Sequence, residues 1–417
     1  MKKLYRNARL QDTAECQDIL VEDDKFAAIA PHLEAADAVV IDLGGKLTVP
    51  PYVDPHIHLD YVYTARQEGA TNQTGTLFEG IQRWSETKAD ATTEEIKQRA
   101  RKAVREEVTA GVQYIRTHAD VTDPSQTSLT ALLELREELK DIVTIQIVAF
   151  PQEGMYAYKG GDELVEEGLR MGADCVGAIP HFELAREFGE KSVHKAVELA
   201  LKYDKLIDLH CDETDDDQSR FLELLTALTY QAGIGELTTA SHTCSFGSAN
   251  NAYAFRLMKT LVRAKLNFIS CPTENIYLEG RQDSYPKRRG LTRVKELHDA
   301  GINVCFAQDS ISDPWYPLGN GNLMNVLDAG IHIAQMMSFD EIGHALDLIT
   351  INGARTMHIL DQYGIEAGKP ANFIVLDADS PFEAIRQRAG VIRSVRGGKE
   401  LFTKIPAKVQ SGFSLLA

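Results

Sequence analysis

Residues 49–61 read VPPYVDPHIHLDY, and two histidines in that stretch, His56 and His58, stand one residue apart. A β-strand sends alternate side chains to the same face, so at a strand end both imidazoles are placed to grip one metal ion. Hydrogen-bonded core or surface histidines are the plain alternative for any such pair. What separates the two is recurrence. His210 in LIDLHCDE, His242 in TTASHT and Asp309 in INVCFAQDS each close an apolar run in the same manner.

Working outward, eight such runs can be named: KLTVPPYVDPHIH, VQYIRTHAD, VTIQIVAFPQ, CVGAIPHF, LIDLH, LTTASHT, LNFISCP and INVCFAQD. Amphipathic stretches such as EEIKQRARKAVREEVTAG and KSVHKAVELALKY stand between successive members. That alternation predicts an α/β protein with a parallel sheet, and eight repeats predict a closed (β/α)8 TIM-type barrel. The interval from His56 to His210 holds four units of roughly 38 residues, and that from His210 to Asp309 three of roughly 33, both compatible with an enlarged barrel repeat. These side chains then close strands one, five and eight, at the barrel end where active sites are built. The first connection is long. Its stretch Tyr61 to Gly80, rich in Gly, Thr, Asn and Gln, is read either as a lid or substrate loop or as an irregular surface insertion.

Outside the barrel, ILVED, FAAIAP and AVVIDLGG near the amino terminus, and KPANFIVLDA and IRSVRGGKEL near the other end, read as β-hairpin material. The economical arrangement is a small β-sandwich domain assembled from both termini, residues 1–49 and 365–417, flanking a metal-dependent catalytic barrel over residues 50–364. The acidic run DETDDDQ, residues 212–218, has the composition of a solvated helix start.

The bulk numbers exclude several function classes. A chain of 417 residues with 44% hydrophobic and 25% charged content is ordinary globular material. A formal charge of −17 lacks the basic footprint that nucleic-acid phosphate needs. No stretch approaches a membrane span or a signal-peptide core, which points to a cytoplasmic protein without a membrane partner. The six cysteines carry no C-x-x-C pairs and read as reduced, buried residues.

Imidazoles with one carboxylate suit Zn²⁺, Fe²⁺ or Mn²⁺, and the lack of a thiolate ligand argues against a structural zinc cage. With an open coordination position, such an ion brings a water's pKa near neutrality and so supplies a nucleophile for an amide, ester or amidine carbon. Glu213, three residues after His210, suits a proton shuttle, the alternative being a cap on a helix beginning near Thr214. His242 either ligates metal, steadies the nucleophile or is simply hydrogen-bonded. Asp309 can accept the water's proton while binding the ion. The fourth run ends in His181 and Glu183 without a lysine to bridge two metals, which favours one.

The stretches PHIHLD, NQTGTLFEGIQRW, VAFPQEG, VGAIPHFE, DLHCDETDDDQSRF, YPKRRGLTRVKEL, DPWYPLGNGN and SVRGGK, in that order, resemble the amidohydrolase superfamily, and within it the bacterial cytosine deaminases, over nearly the whole chain. The resemblance implies that His56, His58, His210 and Asp309 bind one divalent ion, Fe²⁺ or Zn²⁺. It implies that Glu213 shuttles protons with His242 as partner in activating water. Gln152 matches a glutamine whose amide pairs with O2 and a ring nitrogen of a pyrimidine, and Trp315 an aromatic packed beside the base. Loop-holding for Gln152 and core packing for Trp315 are the alternatives. The implied reaction adds hydroxide at C4, with Glu213 protonating N3 before ammonia leaves. A homo-oligomer acting on a free nucleobase is implied as well.

Two departures matter. Where the resembling family reads H-D-D after strand eight, this chain has Gln308, Asp309 and Ser310. A hydroxymethyl group in place of a carboxylate gives room near C5, so acceptance of 5-methylcytosine is expected, as a ratio over cytosine of roughly 10- to 200-fold at most. Strand seven ends in Cys271, Pro272 and Thr273, a difference to which no consequence attaches. Three rival readings stand beside this one: a deaminase of another cyclic amidine such as isoguanine, creatinine or a triazine; a cyclic amidohydrolase of the dihydroorotase kind; and a catalytically silent scaffold. Retention of Glu213 beside all four ligands argues against the last.

Overall fold

Alternating runs at the amino terminus form β1 (Lys2–Ala8), β2 (Gln17–Glu22), β3 (Lys25–Ala30), β4 (Val39–Asp42) and β5 (Thr48–Val49) in the computed structural model, which describes residues 2–407. The eight apolar runs become β6 (Tyr52–Ile57), β7 (Val112–Asp120), β8 (Thr144–Phe150), β9 (Cys175–Ala178), β10 (Leu206–Cys211), β11 (Thr238–His242), β12 (Asn267–Ser270) and β13 (Val304–Phe306). After them come β14 (Phe373–Leu376), β15 (Val391–Arg396) and β16 (Lys399–Thr403).

β6 to β13 pair in sequence order, each parallel to the next. Every residue of β6 and β7 is buried, which is why these strands read as continuous apolar runs and not as alternating ones. Between β6 and β7, the helix Thr93–Ala110 buries Ile96, Ala100, Ala103, Val104 and Val108, one stripe at helical spacing. The helix Arg186–Tyr203 does the same with Val193, Ala196, Val197 and Ala200. The long first connection is loop as far as Thr76, whose hydroxyl accepts from Glu79 N and caps the helix Leu77–Thr87.

The chain divides into two compact units, one comprising Tyr52–Val108 and Val112–Leu360, the other the residues up to Pro51, Thr109–Gly111 and those from Asp361 on. The second unit contains two four-stranded sheets, in the orders β3-β2-β1-β4 and β16-β15-β14-β5. Tyr5, Ile19, Val21 and Phe26 of the first pack with Phe373, Val375 and Val395 of the second, and Tyr5 meets Phe373 edge to face at 4.9 Å. This is a β-sandwich drawn from both ends of the chain. β15 and β16 join through Gly397 and Gly398, both at positive φ (52° and 68°), as a tight hairpin turn requires. AVVIDLGG is not hairpin material, however: its strand β4 runs parallel to β1, with Leu4 opposite Val40.

All six cysteines are free thiols and all but Cys16 are buried. Among the described residues no helix is long and apolar enough to cross a membrane.

Candidate active site

Barrel closure builds the site. Between the last strand and the first, Asp309 N donates to His56 O at 2.9 Å and His58 N donates to Asp309 O at 3.1 Å. The contact that completes the cylinder therefore sets Asp309 against the H-x-H pair. β10 carries His210, and the register of β10 on β11, with Cys211 opposite His242, brings the fourth imidazole alongside. Asp212, His242 and Asp309 all hold left-handed backbone, with φ of 58°, 66° and 67°. Non-glycine residues seldom do so, and such strain gathers where strand ends must turn side chains inward.

His58 Nε2 lies 3.0 Å from His210 Nε2. Asp309 Oδ1 lies 3.6 Å from His56 Nε2 and 3.7 Å from His58 Nε2. Ligands held about 2.0–2.1 Å from one ion sit roughly 3.0–3.5 Å apart, so this spacing fits a shared cation. The sets His56–His118–His210, His210–Glu213–His242 and His56–His242–Cys271–Asp309 each offer ligand atoms within 4.8 Å of one another. Burial, reinforced by neighbouring imidazoles, holds His56, His58 and His210 well below the ordinary histidine range, hence neutral and with a lone pair to give. Burial, and then Asp313, hold the Asp309 carboxyl well above its ordinary range, a cost that a bound dication removes.

The tautomer of His56 follows from hydrogen counting. Ser241 Oγ donates to Asp208 Oδ1 at 2.6 Å and lies 3.1 Å from His56 Nδ1. Its single proton goes to the carboxylate, so it accepts from Nδ1–H and leaves Nε2, buried and without a partner, facing Asp309. Asp208 is held in turn by Arg116 Nη1 at 3.0 Å, both side chains fully buried.

Glu213 is buried beside this cluster, with Oε1 3.2 Å from His242 Nδ1 and accepting from Asn275 Nδ2 at 3.0 Å. Burial, with Asp309 next, raises the Glu213 carboxyl well above its ordinary range, and burial pushes His242 down to about 3. A carboxyl able to hold a proton near neutrality against a neutral imidazole is equipped for general acid–base work. The helix-cap reading of Glu213 is not what occurs. No helix begins at Thr214; the next helix is Phe221–Ala232, and its cap is Asp212, whose carboxylate accepts from Phe221 N at 3.1 Å and Leu222 N at 2.8 Å. The acidic run is thus a loop with a buried first member, and no solvated helix start.

Gln152, Ser310 and Trp315 line the same cavity as His58, His210, Glu213 and Asp309. Gln152 Oε1 is buried without a protein partner, so that oxygen is not spent on holding its loop. Trp315 packs on Tyr61 with ring centroids 4.4 Å apart and donates Nε1–H to Leu77 O at 3.2 Å. Tyr61 stacks on His58 at 4.7 Å. A side chain at Gly80 would meet the Trp315 indole at 2.4 Å, so this glycine lets the helix after the long connection close over the tryptophan. The first and last parts of the Tyr61–Gly80 stretch thus belong to the cavity wall.

Three residues escaped the sequence reading of the site. His118 sits with its ring centroid 4.1 Å from His56 and 4.8 Å from His210; it lies near the end of the named run VQYIRTHAD, and the strand-end argument applied there would have found it. Cys271 joins the ligand neighbourhood, but burial, with Asp309 second, keeps its thiol protonated, donating to the Asp309 carboxyl. Glu274 follows the unassigned Cys271–Thr273 departure and lines the cavity.

The model of the Amidohydrolase family matches residues 39–402. The structure superimposes on 5-methylcytosine deaminase from Klebsiella pneumoniae, solved with phosphonocytosine bound, at a TM-score of 0.95 and 49% identity, covering 99% of this chain and 100% of that one. N-isopropylammelide isopropyl amidohydrolase from Pseudomonas sp. (strain ADP) is 30% identical over 405 residues, 95% of this chain and 96% of that protein. Pterin deaminase from Rhizobium rhizogenes is 25% identical over 93% of this chain and 88% of that protein.

Proposed function

The chain belongs to the amidohydrolase family and is a hydrolase of C–N bonds, and from that premise we propose that it is a metal-dependent deaminase of free pyrimidine bases, converting cytosine or 5-methylcytosine to uracil or thymine plus ammonia. One observation carries the reading: a buried Glu213–His242 pair stands beside three imidazoles and Asp309, in a cavity also lined by Gln152 and Trp315. The Klebsiella 5-methylcytosine deaminase, similar along its full length, supports the same substrate class.

His56, His58, His210 and Asp309 are the residues to hold one ion, Fe²⁺ or Zn²⁺, which when bound supplies water acidic enough to attack an amidine carbon near neutral pH. Asp309, placed against the imidazoles, would take a proton from the attacking water. Glu213 gives one proton to N3 and, after taking up the remaining water-derived proton, a second to the departing amine, while Asn275 Nδ2–H holds its Oε1 and His242 stands 3.2 Å away as its partner in activating water. The Gln152 carboxamide offers a donor and an acceptor to the O2 edge of the ring, and Trp315 closes one side against water. Ser310 presents no charge toward C5, leaving space for a methyl group. Its hydroxyl is not idle, since it interacts with the buried carboxyls of Glu274 and Asp313. Cytoplasmic location and assembly from several copies complete the proposal.

Steady-state kinetics on cytosine and 5-methylcytosine, with iron and zinc measured on the same sample, test it. We expect kcat/KM to favour 5-methylcytosine by up to roughly 10- to 200-fold and Ser310→Asp to shift that ratio toward cytosine. An unchanged ratio in Ser310→Asp removes Ser310 from the argument. The relatives that act on N-isopropylammelide and on pterin sustain a second reading, deamination of a different cyclic amidine, and ammonia release over a panel of triazines, pterins and purines separates the two.

A further inference from the structure

Apart from the imidazoles, two side chains lining the catalytic cavity carry a buried polar atom without a partner among the described residues: Gln152 Oε1 and Glu274 Oε2. Glu274 lies on the helix Pro272–Leu278 and is 2% exposed. Its carboxyl interacts with Ser310, and its Oε2 is buried without a hydrogen-bond partner. A buried carboxyl oxygen with no hydrogen-bond partner is costly, and such atoms in a ligand cavity mark where a ligand's polar group belongs.

Topology says which polar group. Gln152 follows β8, the third barrel strand, and Glu274 follows β12, the seventh. In a closed sheet of eight, third and seventh strands face each other across the mouth. In a six-membered pyrimidine, C5 and C4 lie opposite C2 and N1. A ring whose O2 edge meets Gln152 therefore turns its C4–C5 edge to Glu274. That edge bears one kind of hydrogen-bond donor, the exocyclic amine, because C5 carries only hydrogen or methyl.

We propose that Glu274 is a specificity-determining residue that accepts a hydrogen bond from the exocyclic amino group on its C5-facing side and thereby selects substrates that release ammonia over those that release a dialkylamine. The assignment rests on the pyrimidine reading above. Asn275, the next residue, holds Glu213 Oε1, so one turn of chain aligns the proton shuttle and the group that reads the amine.

The test compares cytosine, 5-methylcytosine and N4,N4-dimethylcytosine on metal-loaded wild type, Glu274→Ala and Glu274→Gln, with metal content and melting recorded for each. In wild type the dimethyl base should fall at least about 10²-fold below cytosine in kcat/KM, since its substituted amine leaves Glu274 unpaired. Glu274→Ala should lose at least about 10-fold on cytosine and narrow the gap to the dimethyl base, whereas Glu274→Gln, which keeps a carbonyl acceptor, should retain the wild-type order. An unchanged cytosine-to-dimethyl ratio in Glu274→Ala overturns the proposal while the deaminase reading stands. Wild type that processes both bases equally overturns it without any variant, so a misfolded alanine protein does not rescue it. Loaded wild type inactive on every pyrimidine defeats the pyrimidine reading and this assignment together.

Discussion

In the role proposed for it, Glu213 condenses the chemistry into one side chain, because the same burial that would penalise a carboxylate suits it to carry a proton. Its neighbours are Asn275 Nδ2 at 3.0 Å and His242 Nδ1 at 3.2 Å, and neither is a cation that would hold it ionised. Glu213→Gln keeps shape and hydrogen bonds but cannot carry the proton. We expect kcat to fall by roughly 10²- to 10⁴-fold with metal content and melting unchanged; loss of metal in parallel would make Glu213 a ligand instead of a shuttle. At this scale the sequence is readable where chemistry and strand position coincide, as with His56, His58, His210 and Asp309. It is opaque where a common residue gains its meaning from burial. Ser241 is an unremarked serine until the register of β10 on β11 puts it between Asp208 and His56, and Glu274 has the look of any helix glutamate until the cavity closes around it.

Elements were more legible than their ends. All eight barrel runs became strands in the predicted order, because a strand buried on both faces must be apolar throughout and a helix covering it must show a stripe. AVVIDLGG reads as hairpin material yet β4 pairs parallel with β1, because short alternating runs state their period and not their partner. The acidic run misled for a related reason: composition favours a helix start, yet Asp212 is buried and caps a helix that begins only at Phe221. Asp212→Ala leaves two backbone N–H groups without that acceptor and should cost about 1–3 kcal/mol, read as a lower urea midpoint at unchanged m-value. Asp212→Asn should recover most of the loss. A neutral outcome for the alanine variant would mean that water caps the helix equally well.

Across the whole molecule, the proposed ligand set couples cation binding to the fold, because its residues lie on the first, fifth and last barrel elements and include the pair of strands whose contact closes the cylinder. A ligand at about 100 times its Kd adds about 2.7 kcal/mol, so chelation should lower the melting temperature by something on the order of 5 °C. The pH dependence has a definite sign. Without metal, burial raises the folded pKa of Asp309, so native protein keeps a proton that the unfolded chain releases above about 3.9. Apoprotein stability therefore declines as pH rises from that value toward the folded pKa, whereas in the loaded protein Asp309 is ionised throughout. Histidine protonation in the unfolded chain is common to both forms and cancels. The gap in melting temperature between loaded and chelated protein should accordingly widen from pH 5.5 to pH 8, and a gap that narrows with pH would remove Asp309 from the set that meets the ion.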